Sequence, residues 1–587
     1  MAFLGLHVAV WMVLVVYFAG MLLMGWWSRR GIHDQEGYLL GNRRFGVWMM
    51  VMHAFGAGTN PGDVAGVVSK TVSGGASGIW VSWMWMFGTP FYWLIAPIVR
   101  RMRCLTLADF FQERFGKPAS ALYILVATAG MIVCLASVLL ATARTAQGLM
   151  GKATAEVTSV DAPDGAAVGR ASSHDEASGD ARPTVLTPRE SEAWFFGILL
   201  VTTAVFLVYS YWGGIVAAIR TDMVQGLMII ALSVIAIPMA LNLKEVGGLA
   251  GMRQTLAATD QGNLLSLFDP GVFDLWTVIV LCINAPLSAL AFPHLIPVCG
   301  AGRTEWEGRV GFTYGNMLKR ICTIGWCLLG LAWLAYLLET GSAIHPDAAF
   351  GDSIRMLLSP LLQGVMLACV LATAMSSGDA FQITVAGLFS ENIYRVYIRP
   401  GADEKHMVHV TRIAGIVIVL VSLVVAVLMR QSVVGAILDY FNILSLVGVS
   451  TAMGILWRRM NTTGMFCSTI SAVIVFVITR YVGGLPRHVT IAAPILVGLV
   501  AGVVGSLLTR PPNREALERF LAKIYVPIGQ EARLALPLDE AVPPSQRWLT
   551  AGGLFVVKPS RQSWLGFLVT FAICVLCVVV MQALLKG

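Results

Sequence analysis

The chain has 587 residues, 57% of them hydrophobic and only 13% charged, with a formal net charge of +8; its mean hydropathy is +0.74. A soluble domain carries roughly 25% charged residues, so a soluble fold is excluded. Apolar runs of about 20 residues, each able to cross a hydrocarbon core of roughly 30 Å, recur from end to end and predict an all-α polytopic membrane protein.

Taken in chain order, the runs predict spans at 6–27, 45–70, 76–99, 119–148, 194–212, 222–242, 275–298, 316–338, 361–393, 411–429, 434–457, 463–483, 489–508 and 563–585, about 14 transmembrane helices. Lys and Arg set the orientation. Arg29, Arg30, Arg43 and Arg44 follow the first span, and Arg100, Arg101, Arg103, Arg114 and Lys117 follow the third. Arg303, Arg309, Lys319 and Arg320 follow the seventh, Arg395, Arg399, Lys405 and Arg412 the ninth, and Arg458 and Arg459 the eleventh. These loops alternate in the order that makes them cytoplasmic and both termini external, in a multi-pass protein of the cell (inner) membrane. The +8 is therefore a topology signal and not a nucleic-acid footprint. The first span has no basic residue ahead of it and no small-residue cleavage site, so it reads as a retained anchor. Ten cysteines lie mostly within spans; Cys574 and Cys577 form a CxxC in the last one, with no His nearby, and read as apolar filler.

The external loop 149–193 is rich in Ala, Gly, Ser and Asp and is expected to be disordered. In the cytoplasmic segment 509–562, "NREALERFLAKIY" puts Leu517, Phe520, Leu521 and Ile524 on one helical face, an amphipathic helix for the membrane surface or the bundle.

Two spans read as broken. In "AFGAGTNPGDVAGVV" (54–68), Gly56, Gly58, Pro61 and Gly62 fall at mid-membrane, and "NAPLSALAFPH" (284–294) brings Pro286 and Pro293. Pro removes a backbone donor and frees a carbonyl one turn earlier. Interrupted helices at corresponding places in two five-helix halves are the mark of an inverted-repeat transporter, in which unwound carbonyls bind a coupling ion. The layout is then 1–44, an N-terminal extra helix and first cytoplasmic loop; 45–242, the first repeat; 243–274, an external loop; 275–460, the second repeat; and 461–587, peripheral helices.

Inside the ninth span, "LATAMSSGDAFQ" (371–382) places two hydroxyls and a carboxylate in an apolar helix. Taken alone, Ser376 and Ser377 either bond back to carbonyls one turn earlier or serve a ligand. Asp379 costs several kcal/mol at this depth unless paired, hydrated or protonated, which marks it as functional. Thr373 stands i−3 from Ser376 and i−4 from Ser377, on one helix face. Sodium, a hard cation, takes about five or six oxygens; two hydroxyls, a freed carbonyl near Thr373 and two carbonyls from the break at 56–64 would supply them.

"AMSSGDAF" resembles the Met-Ser-Ser/Thr-x-Asp pattern of the sodium:solute symporter family, which has the leucine-transporter fold. "GYLLGNRRFG" (37–46), "TLADFFQERFG" (106–116), "YSYWGGIVAAIRTDMVQ" (209–225), "FPHLI" (292–296) and "GILWRRMNTTG" (454–464) are similar to further family elements in the family's order, over about residues 5–525, nearest in pattern to the sodium/proline symporter branch. The resemblance implies two inverted five-helix repeats with extra helices at both ends. It implies a sodium site made by the carbonyls of Pro61, Val64 and Thr373 and the hydroxyls of Ser376 and Ser377. Asp63 falls where sodium/proline symporters carry an acidic residue beside the ion, and Asp222 matches an acidic residue linked to ion exit or a second sodium. Asp379 and Ser376 would join Asp222 in such a second site, against which Ala380 stands where two-site relatives have serine.

Asn60, Trp83, Asn284 and Tyr440 fall near the expected substrate cavity. Arg144, in "ASVLLATARTAQGLMG" (136–151), either clamps a carboxylate substrate, pairs with Asp63, or snorkels at the outer interface. His294 is expected to pack beside Pro293. Phe292 stands where many relatives have Gln, so no relative's substrate carries over. The resemblance implies sodium-coupled symport of a small polar organic solute by alternating access, with sodium, the solute and the bilayer as partners, no nucleic acid, and no cofactor or other metal. No His/Asp cluster suggests an enzyme, and nothing after residue 508 is long enough for a signalling kinase. A proton-coupled symporter of the same fold, working through Asp63, Asp222 or Asp379, is the alternative.

Overall fold

The computed structural model describes residues 2–3, 6–28, 34–152, 188–259, 263–269, 271–342 and 344–586. The expected disordered stretch within 149–193 lies mostly outside the described residues. A short hairpin of β1 (Ala2–Phe3) and β2 (Leu6–His7) leads into α1 (Val8–Ser28). Then follow α2 (Gln35–Leu40), α3 (Val47–Gly58) and α4 (Pro61–Gly74). A run of tight turns around α5 (Trp80–Trp83) precedes α6 (Tyr92–Arg101), α7 (Leu107–Phe115) and α8 (Lys117–Leu149).

The middle of the chain holds α9 (Pro188–Leu241), α10 (Gly248–Ala257), α11 (Leu275–Ala291), α12 (Leu295–Gly300) and α13 (Glu305–Thr340). Next come α14 (Ala349–Leu357), α15 (Pro360–Phe389), α16 (Glu404–Leu428), α17 (Val433–Leu456), α18 (Thr462–Val477) and α19 (Arg487–Leu508). The chain closes with α20 (Arg514–Tyr525), α21 (Leu538–Ala541), the antiparallel pair β3 (Arg547–Leu549) and β4 (Val556–Val557), and α22 (Arg561–Lys586).

Among the described residues, nine helices are long and apolar enough to cross a membrane, and Val8–Met24, Val47–Gly58 and Leu275–Ala291 are shorter apolar helices. The expected count of about 14 is not reproduced one for one. Spans 194–212 and 222–242 run together in α9, because no proline interrupts its ladder before Pro238. Span 45–70 is split between α3 and α4, and 275–298 between α11 and α12. The second break falls at Phe292–His294, beside Pro293; Pro286 sits inside α11 without ending it.

One correction changes the site. Lys319 and Arg320 were expected in a cytoplasmic loop, yet they lie within α13 at 5% and 1% exposure. This helix starts at Glu305, well before the expected 316. Thr304 caps it, accepting from the Trp306 N–H, and Glu307 closes a capping box. Small residues let α13 lie against α3. A Cβ on Gly311 would come within 2.6 Å of Met50 Cβ, and one on Gly315 within 2.6 Å of the Val51 carbonyl. Such a Gly-x-x-x-Gly stripe is how membrane helices approach closely.

The basic loops gather at one end of the bundle. Arg43 donates to the Gly300 and Cys104 carbonyls, Arg101 to Glu305 at 2.8 Å and 2.9 Å, and Arg103 to the Lys523 carbonyl at 2.9 Å. The expected amphipathic helix is α20, and its apolar face turns to the bundle: Leu517, Phe520, Leu521 and Ile524 are buried, with Phe520 against Phe110.

Candidate functional site

Why does α3 stop at Gly58? Asn60 and Pro61 restart the chain as α4. Asn60 Oδ1 accepts from the Asp63 N–H at 3.1 Å, and Asp63 Oδ2 accepts from the Asn60 N–H at 3.0 Å, a reciprocal cap with proline at the first helical position. The Gly56 carbonyl accepts from the Thr59 N–H at 3.1 Å, which leaves those of Ala57 and Gly58 without helical partners; both meet side chains from other helices. Ser377 Oγ, on α15, donates to the Ala57 carbonyl at 3.1 Å, and Lys319 Nζ, on α13, donates to the Gly58 carbonyl at 2.5 Å.

The carbonyl facing Ser377 is that of Ala57, while Pro61 and Val64 open α4. Pro61 and Val64 do share a small cavity of about 30 Å³ with Thr373, closed by Trp326, Phe350 and Cys369. The Thr373 hydroxyl donates back to the Val370 carbonyl at 2.7 Å.

Ser376 turns the other way and donates to Asp222 Oδ1 on α9. The second oxygen of Asp222 meets His53 Nδ1 at 2.6 Å, with both side chains fully buried. The ring of His53 lies edge-on to His294 at 5.8 Å, and His294 packs between Phe292 and Phe381. Asp379 is buried on α15, one turn beyond Ser376. The structure thus joins α3, α9 and α15 through Ser376, Asp222 and His53, and joins α3, α4 and α13 through Asp63 and Lys319.

The Asp63 carboxylate pairs with Lys319 at 2.6 Å, with 5% and 7% of the side chains exposed. The pairing of Asp63 with Arg144 therefore does not occur. Arg144 sits near the C-terminal end of α8, donating to Gln147 Oε1 at 3.0 Å and the Arg430 carbonyl at 3.1 Å, with its guanidinium 4.3 Å from the Phe195 ring centre.

Of the other expected substrate residues, Asn60 is engaged in the α4 cap. Trp83 is fully buried and donates to the Arg320 carbonyl at 2.9 Å. Asn284 on α11 reaches Asn442 Oδ1 on α17 at 3.5 Å, with its own Oδ1 buried and without a partner. Tyr440, also on α17, is buried.

His53 and Lys319 were missed. The partner of each lies far along the chain. A buried cation on one helix next to a carboxylate on a broken one is visible only in three dimensions.

The model of the sodium:solute symporter family matches residues 38–154 and 195–472. The osmoregulated proline transporter OpuE of Bacillus subtilis is 26% identical over 521 residues, covering 86% of this chain and 96% of that protein. The sodium/proline symporter of Escherichia coli is 22% identical over 525 residues, with 86% and 94% covered. A solved structure of a Na+-coupled sialic acid symporter, substrate-bound and outward-open, superposes with a TM-score of 0.68 at 17% identity, covering 87% of this chain and 98% of that one.

Proposed function

We propose that this chain, which belongs to the sodium:solute symporter family, couples the entry of one sodium ion to uptake of a small polar organic solute. The observation that carries the reading is the contact of Ser377 Oγ with the Ala57 carbonyl at the end of α3. A hydroxyl on one helix, hydrogen-bonded to a carbonyl that the break in another leaves without a helical partner, forms a hard-oxygen pair suited to an alkali cation. The sodium site in this reading uses Ser376 and Ser377 with carbonyls of Thr373 and of the α3–α4 break, among them Ala57, Pro61 and Val64. Asp222 and Asp379 supply the surrounding negative charge, Asp63 being paired with Lys319.

Two relatives are named for proline, and an amino acid is the first solute class to try, at a cavity bounded by Asn60, Trp83, Asn284 and Tyr440. The repeats in this reading are 45–242 and 275–460, both termini lie outside, and the membrane is the cell (inner) membrane. Uptake of radiolabelled L-proline and of a panel of sugars, carboxylates and vitamins into proteoliposomes, with and without sodium at fixed pH, tests the function. Uptake of every accepted solute at equal rates in both buffers would overturn sodium coupling.

One observation favours a second reading. The fully buried His53–Asp222 pair lies next to Ser376, and in a proton-coupled symporter it would carry the coupling. Uptake driven by a pH gradient in sodium-free buffer distinguishes the two.

A further inference from the structure

The break between α3 and α4 presents a second set of oxygens besides the one at Ser376 and Ser377. The Gly58 carbonyl and Asp63 Oδ2 converge there on one nitrogen, and the hydroxyl of Thr59, the residue after Gly58, is fully buried without a hydrogen-bond partner. Asn316 Oδ1, one turn before Lys319 on α13, lies 3.4 Å from where a Cβ on Gly58 would stand. A freed carbonyl, a carboxylate, a hydroxyl and an amide oxygen are the donor types that a hard monovalent cation takes. What meets the first two is the ammonium of Lys319, 2.5 Å from the carbonyl and 2.6 Å from the carboxylate.

We propose that Lys319 is a built-in cation: the α3–α4 break is a monovalent-cation site filled by the chain's own ammonium, so that the protein binds one sodium fewer than this break would otherwise hold. An ammonium and a sodium ion carry the same charge, and both are satisfied by short contacts to carbonyl and carboxylate oxygens. Lys319 supplies that charge on a tether and leaves Asp63 neutralised without an ion from solution. Arg320, the next residue, is 1% exposed and donates to the Ser82 carbonyl at 3.0 Å. Removing the ammonium alone leaves a buried carboxylate, an unpaired carbonyl and a space the size of the lost side chain. An ion from the buffer would satisfy all three at once. The proposal rests on the sodium-symport reading only for the identity of that ion.

The test counts ions. Equilibrium dialysis with 22Na+ on the purified full chain gives sodium bound per chain at saturation. Lys319→Ala should bind one sodium more than the wild type. Lys319→Arg should keep the wild-type count. Should Lys319→Ala fail to fold, Lys319→Asn, whose amide adds an oxygen, takes its place. Equal counts in wild type and the neutral variant would overturn the proposal, as would an extra ion in Lys319→Arg. A wild type that binds no sodium overturns the coupling reading instead. The difference between variant and wild type still decides the role of Lys319 in that case.

Discussion

Ser377 Oγ donates to the Ala57 carbonyl at 3.1 Å, and this bond ties the middle of α15 to the broken end of α3. If a sodium ion sits between them, it replaces the bond by two ion–oxygen contacts. Ser377→Ala should then raise the apparent sodium constant about tenfold, the equivalent of roughly 1.4 kcal/mol, and Ser376→Ala should raise it similarly, with expression little changed. Sodium titration of uptake, or of thermal stability in detergent, checks this. Wild-type sodium dependence in both variants would remove the serines from the site.

Asp222 is held on both oxygens, by Ser376 and by His53. Asp222→Ala strands a buried imidazole and a buried hydroxyl, and should cost about 3–5 kcal/mol of stability. His53→Ala together with Asp222→Ala removes both members and should cost less than the sum of the two single substitutions. Thermal melts of the singles and the double give the coupling, and simple additivity would show that the contact does not hold the helices together.

The close approach of α13 to α3 predicts a sharp contrast between glycines. A Cβ on Gly315 would stand 2.7 Å from Ala54 Cβ, while one on Gly20 in α1 meets nothing within 4 Å. Gly315→Val should destabilise by about 1–3 kcal/mol through overpacking, and Gly20→Val should stay within about 0.5 kcal/mol of wild type. Comparable melting temperatures for the two would argue against the packed interface.

These glycines also show where sequence reading stops. The break in 54–68 was legible because Gly56, Gly58, Pro61 and Gly62 each weaken or interrupt a helix in their own way, and Pro293 marked the second break. Pro286 was not distinguishable from Pro293, since a proline can be absorbed when neighbouring groups satisfy the freed carbonyl. Lys319 and Arg320 read as a cytoplasmic flank because positive charge after an apolar run usually means a loop. Only the cap at Thr304 and the carboxylate of Asp63 show that the helix starts earlier and can hold the charge. His53 gave no local signal, because Asp222 lies 169 positions away.

At the basic end, Glu305 gathers Arg101, Arg309 at 3.5 Å and the Ile528 N–H at 3.0 Å. Glu305→Ala leaves Arg101 without its carboxylate and frees the segment after α20. Limited trypsin digestion should then cut between residues 525 and 562 several-fold faster than in wild type, with the spans intact. Unchanged cleavage would show that the buried face of α20 alone anchors the segment.

The last prediction concerns how far the protein can concentrate its solute. One sodium ion moving down a tenfold gradient contributes about 1.4 kcal/mol, and its charge crossing 100 mV contributes roughly 2.3 kcal/mol. Together these roughly 3.7 kcal/mol sustain about a 500-fold accumulation of a neutral solute, whereas two ions would sustain more than about 10⁵-fold. With Lys319 filling the second cation place, the ceiling should follow the one-ion value. In proteoliposomes with an inward sodium gradient and an inside-negative potential, the solute should overshoot its equilibrium level. Dissipating either the gradient or the potential should lower the peak, and Ser377→Ala should flatten it. Reversal-potential measurements, in which the membrane voltage that just stops net uptake is read at set gradients, give the ion count directly. A count of two per neutral solute would contradict the one-ion reading, and an overshoot that persists in sodium-free buffer with a proton gradient would hand the coupling to His53 and Asp222.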